Sequence, residues 1–441
     1  GHGNIRWMTS QRQLGYGSSQ RERERSRSRK GQERRPKYVI SVSACTDSDN
    51  GSEEEEYSTS YSSVVSEVKV AKAKPDKDEI QHFKWKSGLR MNLERYQVMD
   101  FLGDGTFGRV LLAKDQRKNR EVAIKIIRNV EKYTRNAIRE AEILKDIRKA
   151  EASSSSGCVR LHETFWHEAN GERFFCLVCE ALGWSLYDLL KRNRYRGMWV
   201  QDIQSIARQC LEALDFLHGN MRLTHTDLKL ENVLFRSASP PEPAEFLREA
   251  WWQSQGNRSS RGSVDYVRPS STKIKLIDFG NATYELEHHS AIINTRQYRA
   301  PEVILSMGWN ERSDMWSTGC IVMELYTGEL LFRTHESLEH LVMMERSIDR
   351  FPQQLLAKAG HRPDGRFVVK ETQRGSWQLR IPESAESIGK VKQQKPLKKL
   401  VQKEHLSLSA FTSSLLILDP NKRPTARAAL KHAFLSESFP D

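Results

Sequence analysis

Hydrophobic and polar positions divide the chain into stretches of different texture. Residues 1 to about 85 have no apolar periodicity: RERERSRSRK gives way to a Ser/Tyr/Glu-rich stretch from Ser41 to Glu67 with EEEEYSTSYSS at its centre. Such a composition cannot bury enough apolar surface to offset the entropy of ordering the chain, so a disordered tail is expected there. From Arg95 the pattern turns to strand-like runs, RYQVMDFLG, RVLLAKD and EVAIKIIRN, each bounded by Gly, Asp or Asn. A helical pattern follows from Tyr133 to Arg148, with Ile138, Ala141, Ile143, Leu144 and Ile147 as its apolar face. A strand pair is expected around CVRLHETFWH and RFFCLVCEAL. After Gly183 the spacing becomes helical, as in LYDLLKRN and IQSIARQCLEALDFLHGN. The pattern predicts an α+β chain: a small strand-rich part (about 95–180) and a larger helical part (about 184–435). A Pro/Ser/Gly-rich break at 237–272 reads as a surface insertion, with Trp251 and Trp252 its candidates for packing.

The 441 residues allow two or three compact units, and 38% apolar content with 29% charge excludes an integral membrane protein. No stretch approaches ~18 uncharged apolar residues, and the first 35 residues are polar and Arg-rich, unlike a secretory leader. Six scattered cysteines (Cys45, Cys158, Cys176, Cys179, Cys210, Cys320) make no disulfide framework. A reducing compartment, cytosol or nucleus, is expected. The net charge of +13 invites a nucleic-acid reading, but it is segregated. Residues 1–37 hold 11 basic and 3 acidic residues, whereas residues 38–67 hold 7 acidic and no basic ones. The basic run lacks interleaved aromatics for base stacking, so at most salt-sensitive, sequence-indifferent RNA binding is expected.

Chemistry concentrates in four places. Gly103-Asp-Gly105-Thr-Phe-Gly108-Arg-Val110 follows a strand, and glycines at these spacings let backbone amides approach phosphates closely. Alone it is as readily a ligand-free hairpin, with a dinucleotide fold as a third option. The next strand decides against the latter: Val122-Ala123-Ile124-Lys125 puts an ammonium on a buried-type strand, where it needs an anionic partner. Glu140 is the candidate carboxylate, with Glu142 the alternative. His225-Thr226-Asp227-Leu228-Lys229-Leu230-Glu231-Asn232 then places a carboxylate, an ammonium and an amide on one loop. Phosphoryl transfer needs an acceptor to orient the attacking hydroxyl, a cation against developing charge and an oxygen ligand for magnesium. Asp278-Phe279-Gly280 offers a second carboxylate for the metal.

In this order, the motifs closely resemble those of the eukaryotic protein kinases over roughly residues 95–435. The resemblance implies a two-lobed fold with ATP in the cleft between the lobes. It implies that Lys125 holds the α- and β-phosphates and pairs with Glu140, that Asp227 takes or orients the substrate hydroxyl proton, and that Lys229 contacts the transferring phosphoryl group. Asn232 and Asp278 would bind Mg2+. Thr295 would bridge Asp227 and Lys229. The nucleotide site would comprise Leu102, Gly103, Asp104, Gly105, Thr106, Phe107, Gly108, Val110, Ala123, Cys179, Glu180, Leu182, Leu234 and Ile277. In it, Val110, Ala123 and Leu234 sandwich the base and Glu180–Gly183 form the hinge. Tyr298-Arg299-Ala300-Pro301-Glu302 resembles the CMGC group. Glu287-His-His-Ser290 and Glu339-His-Leu-Val-Met-Met-Glu345-Arg346 look like the signature of the LAMMER, or CLK, dual-specificity kinases, whose usual block is EHLAMMER.

Several departures matter. Thr226 replaces the arginine usual before the catalytic aspartate, which implies activity without obligatory loop phosphorylation. Ser290 would then modulate rather than license catalysis. Cys179 falls at the gatekeeper position, where the family usually has Phe, and a smaller residue there opens the space behind adenine. The Cys176–Cys179 pair is expected to face opposite sides of a strand and to pack rather than chelate, and no zinc ligand set converges. His225 and Phe279 read as alignment residues, Glu302 with Arg423 as a buried ion pair, and Asp314 as an anchor for the catalytic loop. The resemblance implies Arg/Ser-rich splicing-factor substrates, Tyr autophosphorylation, a nuclear location and a monomeric catalytic domain without membrane attachment. Ser26 and Ser28 lie in a similar Arg-Ser run. The lysines of GKVKQQKPLKKLVQK should repel a bare Arg-rich substrate and attract a phosphorylated one, so a preference for partly phosphorylated RS stretches is expected. The competing reading is a kinase-like scaffold that binds RS proteins without catalysis.

Overall fold

The computed structural model describes residues 82–105, 107–151, 156–256, 265–362, 365–372 and 375–439. The expected disordered tail up to Gln81, with Ser26 and Ser28, lies outside the described residues, as does Thr106.

Strands β1 (Arg90–Met91), β2 (Tyr96–Gly105), β3 (Gly108–Asp115), β4 (Arg120–Ile127), β5 (Leu161–Ala169) and β6 (Glu172–Glu180) form one antiparallel sheet in the order β1-β2-β3-β4-β6-β5. Period-two alternation gives the sheet its two faces. Val122, Ile124 and Ile126 of β4 join Val98, Leu111, Cys176 and Val178 in one core cluster. Ala123 and Lys125 point to the other side, into the cleft. Cys176 and Cys179 accordingly face opposite ways.

Between β4 and β5, α1 (Glu131–Ala150) packs by a stripe of Ala137, Glu140, Ala141, Leu144 and Ile147. Ile138, expected on that face, is 37% exposed. It lies one step outside the i, i+3, i+4, i+7 progression that starts at Ala137. The packed region also begins earlier than the pattern indicates. Residues 82–94, expected to be tail or linker, form a strap over the sheet: Phe83 is buried against Phe174, and Trp85 stacks on Phe101.

The second lobe follows with α2 (Leu186–Arg192), which starts with a reciprocal Ser185–Asp188 capping box, and α3 (Val200–Asp215), which ends in a π turn. Short antiparallel pairs carry the site loops. β8 (Val233–Phe235) pairs with β11 (Ile274–Leu276), and β7 (Leu223–Thr224) with β12 (Thr283–Tyr284). The break at 237–272 is more anchored than a surface insertion. It contains β9 (Glu242–Pro243), α4 (Glu249–Ser254) and β10 (Val267–Arg268). The buried Arg248 guanidinium donates to Met198 O and Tyr326 O at 2.7 and 2.9 Å. Trp251 packs edge-on against Tyr326.

Helices α5 (Pro301–Ile304), α6 (Arg312–Thr327), α7 (Ser337–Ser347), α8 (Gln353–Gly360), α9 (Ala385–Gln393), α10 (Leu406–Leu415) and α11 (Ala426–Ala429) complete this lobe, with the short hairpin β13 (Val368–Lys370) and β14 (Trp377–Leu379) beside α8. The nearly fully buried α6 is the lobe's axis. It stops at Gly328, whose φ of 85° and whose space, only 1.8 Å from a Cβ position to Tyr195 O, admit no side chain. Glu302 and Arg423 form a doubly hydrogen-bonded ion pair, at 2.8 and 2.9 Å, that is almost fully buried. The Glu339–Arg346 block lies on α7 and packs rather than reacts. Glu339 and His340 are buried, and Arg346 donates to Gln394 O and Lys392 O, tying α9 to α7. Among the described residues no helix is long and apolar enough to cross a membrane.

Candidate active site

The cleft between the lobes is lined by Leu102, Val110, Ala123, Lys125, Glu140, Leu144, Val159, Cys179, Glu180, Leu182, Gly183, Leu234, Ile277 and Asp278. Its roof is the β2–β3 hairpin, where Gly105 pairs with Gly108. Gly108 is required there because a Cβ would sit 2.2 Å from Ile126 O. Phe107 meets Tyr133 of α1 edge-on and, with Lys125, Glu140 and Asp278, lines a small adjoining pocket. Asp104, expected at the nucleotide, has its carboxylate committed to Arg109 at 2.6 and 2.8 Å, so only its backbone is left for a phosphate.

Lys125 reaches both Glu140 oxygens, at 3.1 and 2.8 Å, and lies 3.6 Å from Asp278. The register of α1 therefore selects Glu140 over Glu142, two positions further on. Burial disfavours the ammonium, but the charges of Glu140 and Asp278 outweigh this and hold its pKa above the ordinary lysine value. A phosphate-binding cation is thus preformed.

The loop between β7 and β8 holds the second group. Lys229 donates to Asp227 Oδ2 at 2.8 Å, with both side chains about 1% exposed. Thr295 donates its hydroxyl to Asp227 Oδ1 at 2.7 Å and its backbone amide to the same oxygen at 3.1 Å, and lies 3.2 Å from Lys229 Nζ. Asn232 Nδ2 donates to Asp227 O at 2.8 Å. Asp314, at the start of α6, accepts from the amides of His225 and Thr226 at 2.8 and 2.9 Å, as the sequence led one to expect. The π turn after α3 brings His218 Nε2 to the same carboxylate at 2.8 Å. His225 packs on the buried Phe279 and hydrogen-bonds Ile277 O at 2.9 Å, which aligns the two site loops. Thr226 and Asp278 have φ of 68° and 66°, strain that the surrounding bonds maintain. Thr226 Oγ1 donates to Asn281 O at 2.8 Å, a neutral tie in place of a guanidinium–phosphate contact.

Asn232 Oδ1 is buried and accepts no hydrogen bond among the described residues. Such an orphan oxygen is costly unless a ligand fills the gap. With the Asp278 carboxylate, it supplies the hard oxygen donors that a divalent cation such as magnesium takes. The cleft's apolar walls beside Lys125 likewise fit a nucleotide whose base lies between Val110, Ala123 and Leu234.

The sequence reading missed several residues around this site. Leu144 and Val159 line the cleft behind Cys179. Leu144 was legible only as core, and nothing local marks Val159. Glu231 Oε2 is buried without a hydrogen-bond partner among the described residues. Tyr298 Oη donates to Glu324 Oε2 at 2.6 Å. Burial, with the Glu231 charge adding to it, pushes the Glu324 carboxyl up to about 8. These acids come from a loop and from the last turn of α6, too far apart in sequence for any spacing to reveal them.

Comparison with known proteins agrees with this geometry. Residues 96–435 match the protein kinase domain family, so the chain belongs to the protein kinases. More narrowly, it is a CLK, or LAMMER, kinase of the CMGC group, a dual-specificity Ser/Thr protein kinase that uses ATP and a divalent metal. Over 350 residues it is 41% identical to the serine/threonine-protein kinase AFC2 of Arabidopsis thaliana, covering 78% of this chain and 77% of that protein. Over 363 residues it is 37% identical to the dual specificity protein kinase CLK1 of Mus musculus, covering 81% and 69%. The crystal structure of the PF14_0431 kinase domain superposes with a TM-score of 0.71 at 42% identity, covering 81% of this chain and all of that one.

Proposed function

We propose that this kinase transfers the γ-phosphate of ATP, with Mg2+, to serine in Arg/Ser-rich splicing factors in the nucleus, and to tyrosine in autophosphorylation. In this reading Lys125, held by Glu140, binds the α- and β-phosphates. Asp227, fixed by Thr295 and Asn232, orients the attacking hydroxyl and takes its proton. Lys229 faces the charge that builds on the transferred phosphoryl group. Asn232 and Asp278 hold magnesium, which supplies further neutralisation of phosphate charge. The enzyme acts as a monomeric catalytic domain, without membrane or sequence-specific nucleic-acid contact.

The observation that carries the substrate class is the pair Glu231 and Glu324. Glu231 immediately precedes Asn232, within four residues of Asp227, and its buried Oε2 accepts no hydrogen bond among the described residues. Burial raises its pKa above the usual carboxylate value, and burial with the Glu231 charge does the same for Glu324. An arginine beside the phosphoacceptor would satisfy the open Glu231 oxygen with its planar fork of donors and bring its charge towards Glu324, whose Oε2 already accepts from Tyr298. The lysines near α9 would then favour stretches already partly phosphorylated. Peptide arrays with Arg-Ser, Pro-directed and acidic panels test the assignment. Strong transfer to Arg-Ser peptides, lost in Asp278→Ala, is expected, and a preference for Ser-Pro peptides without arginine would overturn it.

A further inference from the structure

With Thr226 in place of a loop-facing guanidinium, something else must hold the segment that runs from Asp278 to Glu302. The structure shows what does. Helix α1 meets this segment through Arg139 and Asp146, seven residues apart and so on one face two turns long. Arg139 forms an ion pair with Glu287 and donates to Ala282 O at 3.3 Å. Asp146 Oδ2 accepts from Tyr284 Oη at 3.3 Å. Glu287 also accepts from the Tyr284 amide at 3.0 Å, and its own amide donates to Tyr284 O at 3.0 Å, which closes the turn from Tyr284 to Glu287 on itself. On its other side this turn joins the catalytic loop: Tyr284 pairs with Leu223, and the Glu285 amide donates to Arg222 O at 2.9 Å. The turn is thus stapled between the helix that carries Glu140 and the strand that leads into Asp227.

We propose that Arg139 and Glu287, seconded by Asp146 and Tyr284, are positioning residues that hold α1 and the activation segment in the transfer-competent arrangement. The Glu287 carboxylate takes the place that a phosphate fills in kinases whose segment is organised by phosphorylation. Arg139 directly precedes Glu140, so one turn of helix fixes the ion pair with Lys125 and the anchor of the segment together. The pair is about 40% exposed, so it adds little to global stability. Its contribution is to which conformation of the segment is populated, and through that to kcat. The proposal rests on the roles given above to Lys125, Glu140 and Asp227.

A charge-swap cycle on the full-length, phosphatase-treated enzyme tests it. Arg139→Glu and Glu287→Arg alone should each lower kcat about fivefold or more with unchanged Tm. The double swap should recover kcat to within about threefold of the wild type. A double variant as slow as the product of the two single effects would overturn the proposal, as would single variants at the wild-type rate or a wild type inactivated by phosphatase. Should either reversal fail to fold, Glu287→Gln decides: wild-type kcat should fall with rising salt while that of Glu287→Gln stays flat, and parallel salt curves would reject the staple. Asp227→Asn separates the two readings. Activity surviving in that variant would remove the site assignment, whereas failure of the swap with Asp227→Asn inactive would remove only the staple.

Discussion

Thr295 is joined to Asp227 twice, by its hydroxyl at 2.7 Å and by its backbone amide at 3.1 Å, both on Oδ1. The other oxygen is left to Lys229 at 2.8 Å. A residue 68 positions away in sequence thereby fixes the rotation of the carboxylate that must meet the substrate hydroxyl. Thr295→Ala removes the hydroxyl bond to a charged group, a loss of about 1.5–3 kcal/mol. A fall in kcat of roughly 10- to 100-fold is expected, with recovery in Thr295→Ser. Steady-state kinetics with peptide and ATP varied separately will show it, and KM for ATP should hardly move.

The Glu231–Glu324 pair predicts a pH dependence. Burial, with the Glu231 charge adding to it, pushes the Glu324 carboxyl up to about 8 in the folded protein, against about 4.5 for a solvated glutamate. Between these values the folded state binds the extra proton, so this group's contribution to stability falls as pH rises through the window. Glu324→Gln should flatten that decline in urea titrations between pH 5 and 8. In the wild type, KM for an Arg-Ser peptide should drop as pH rises towards 8.5, because ionised Glu324 binds guanidinium more tightly. A Glu324→Gln enzyme that keeps the full pH dependence would locate the effect elsewhere.

Cys179 leaves the space in front of Leu144 and Val159 open, and burial pushes its thiol up to about 12, so it stands there as a small neutral wall. Cys179→Phe should retain ATP turnover while weakening, by at least tenfold, inhibitors whose bulk extends behind the adenine position. Equal potency against both forms would sink this reading.

Arg423 and Glu302 are almost wholly buried and satisfy each other through two hydrogen bonds. Removing one partner leaves an uncompensated charge in the interior, so Arg423→Ala should cost about 3–5 kcal/mol of stability. Denaturant unfolding of the isolated variant measures this. Replacing both residues with apolar side chains of similar volume should cost much less.

Much of this protein was legible in the sequence because the signals are local. Period-two alternation in EVAIKII determines which face of β4 carries Lys125, and the contiguous loop from His225 to Asn232 fixes its own chemistry within eight residues. Turn-forming glycines and the DFG tripeptide act in the same way. Boundaries were less legible. The strap at 82–94 packs through Phe83 and Met91, two apolar residues isolated among polar ones, and Ile138 failed as a core position because a helix stripe is narrower than the run of apolar letters around it. The 237–272 break looked like loop because its composition is loop-like, yet Arg248 and Tyr266 are buried in contacts with residues 50 to 80 positions away.

By itself the sequence determined the order of elements, the chemical groups at the cleft and the family they belong to. Tertiary structure alone decided what those groups do to one another. Only folding selects Glu140 over Glu142, because a helix turns about 100° per residue and the two steps between them carry a side chain to the opposite face, away from the cleft. Only folding brings Glu324, in the last turn of α6, within reach of the Glu231 charge, where burial and that charge raise its pKa. Only folding sets Glu287 against Arg139, so that a carboxylate of the chain itself holds the activation segment. These relationships depend on distances between residues far apart in the chain, and no local pattern encodes such distances.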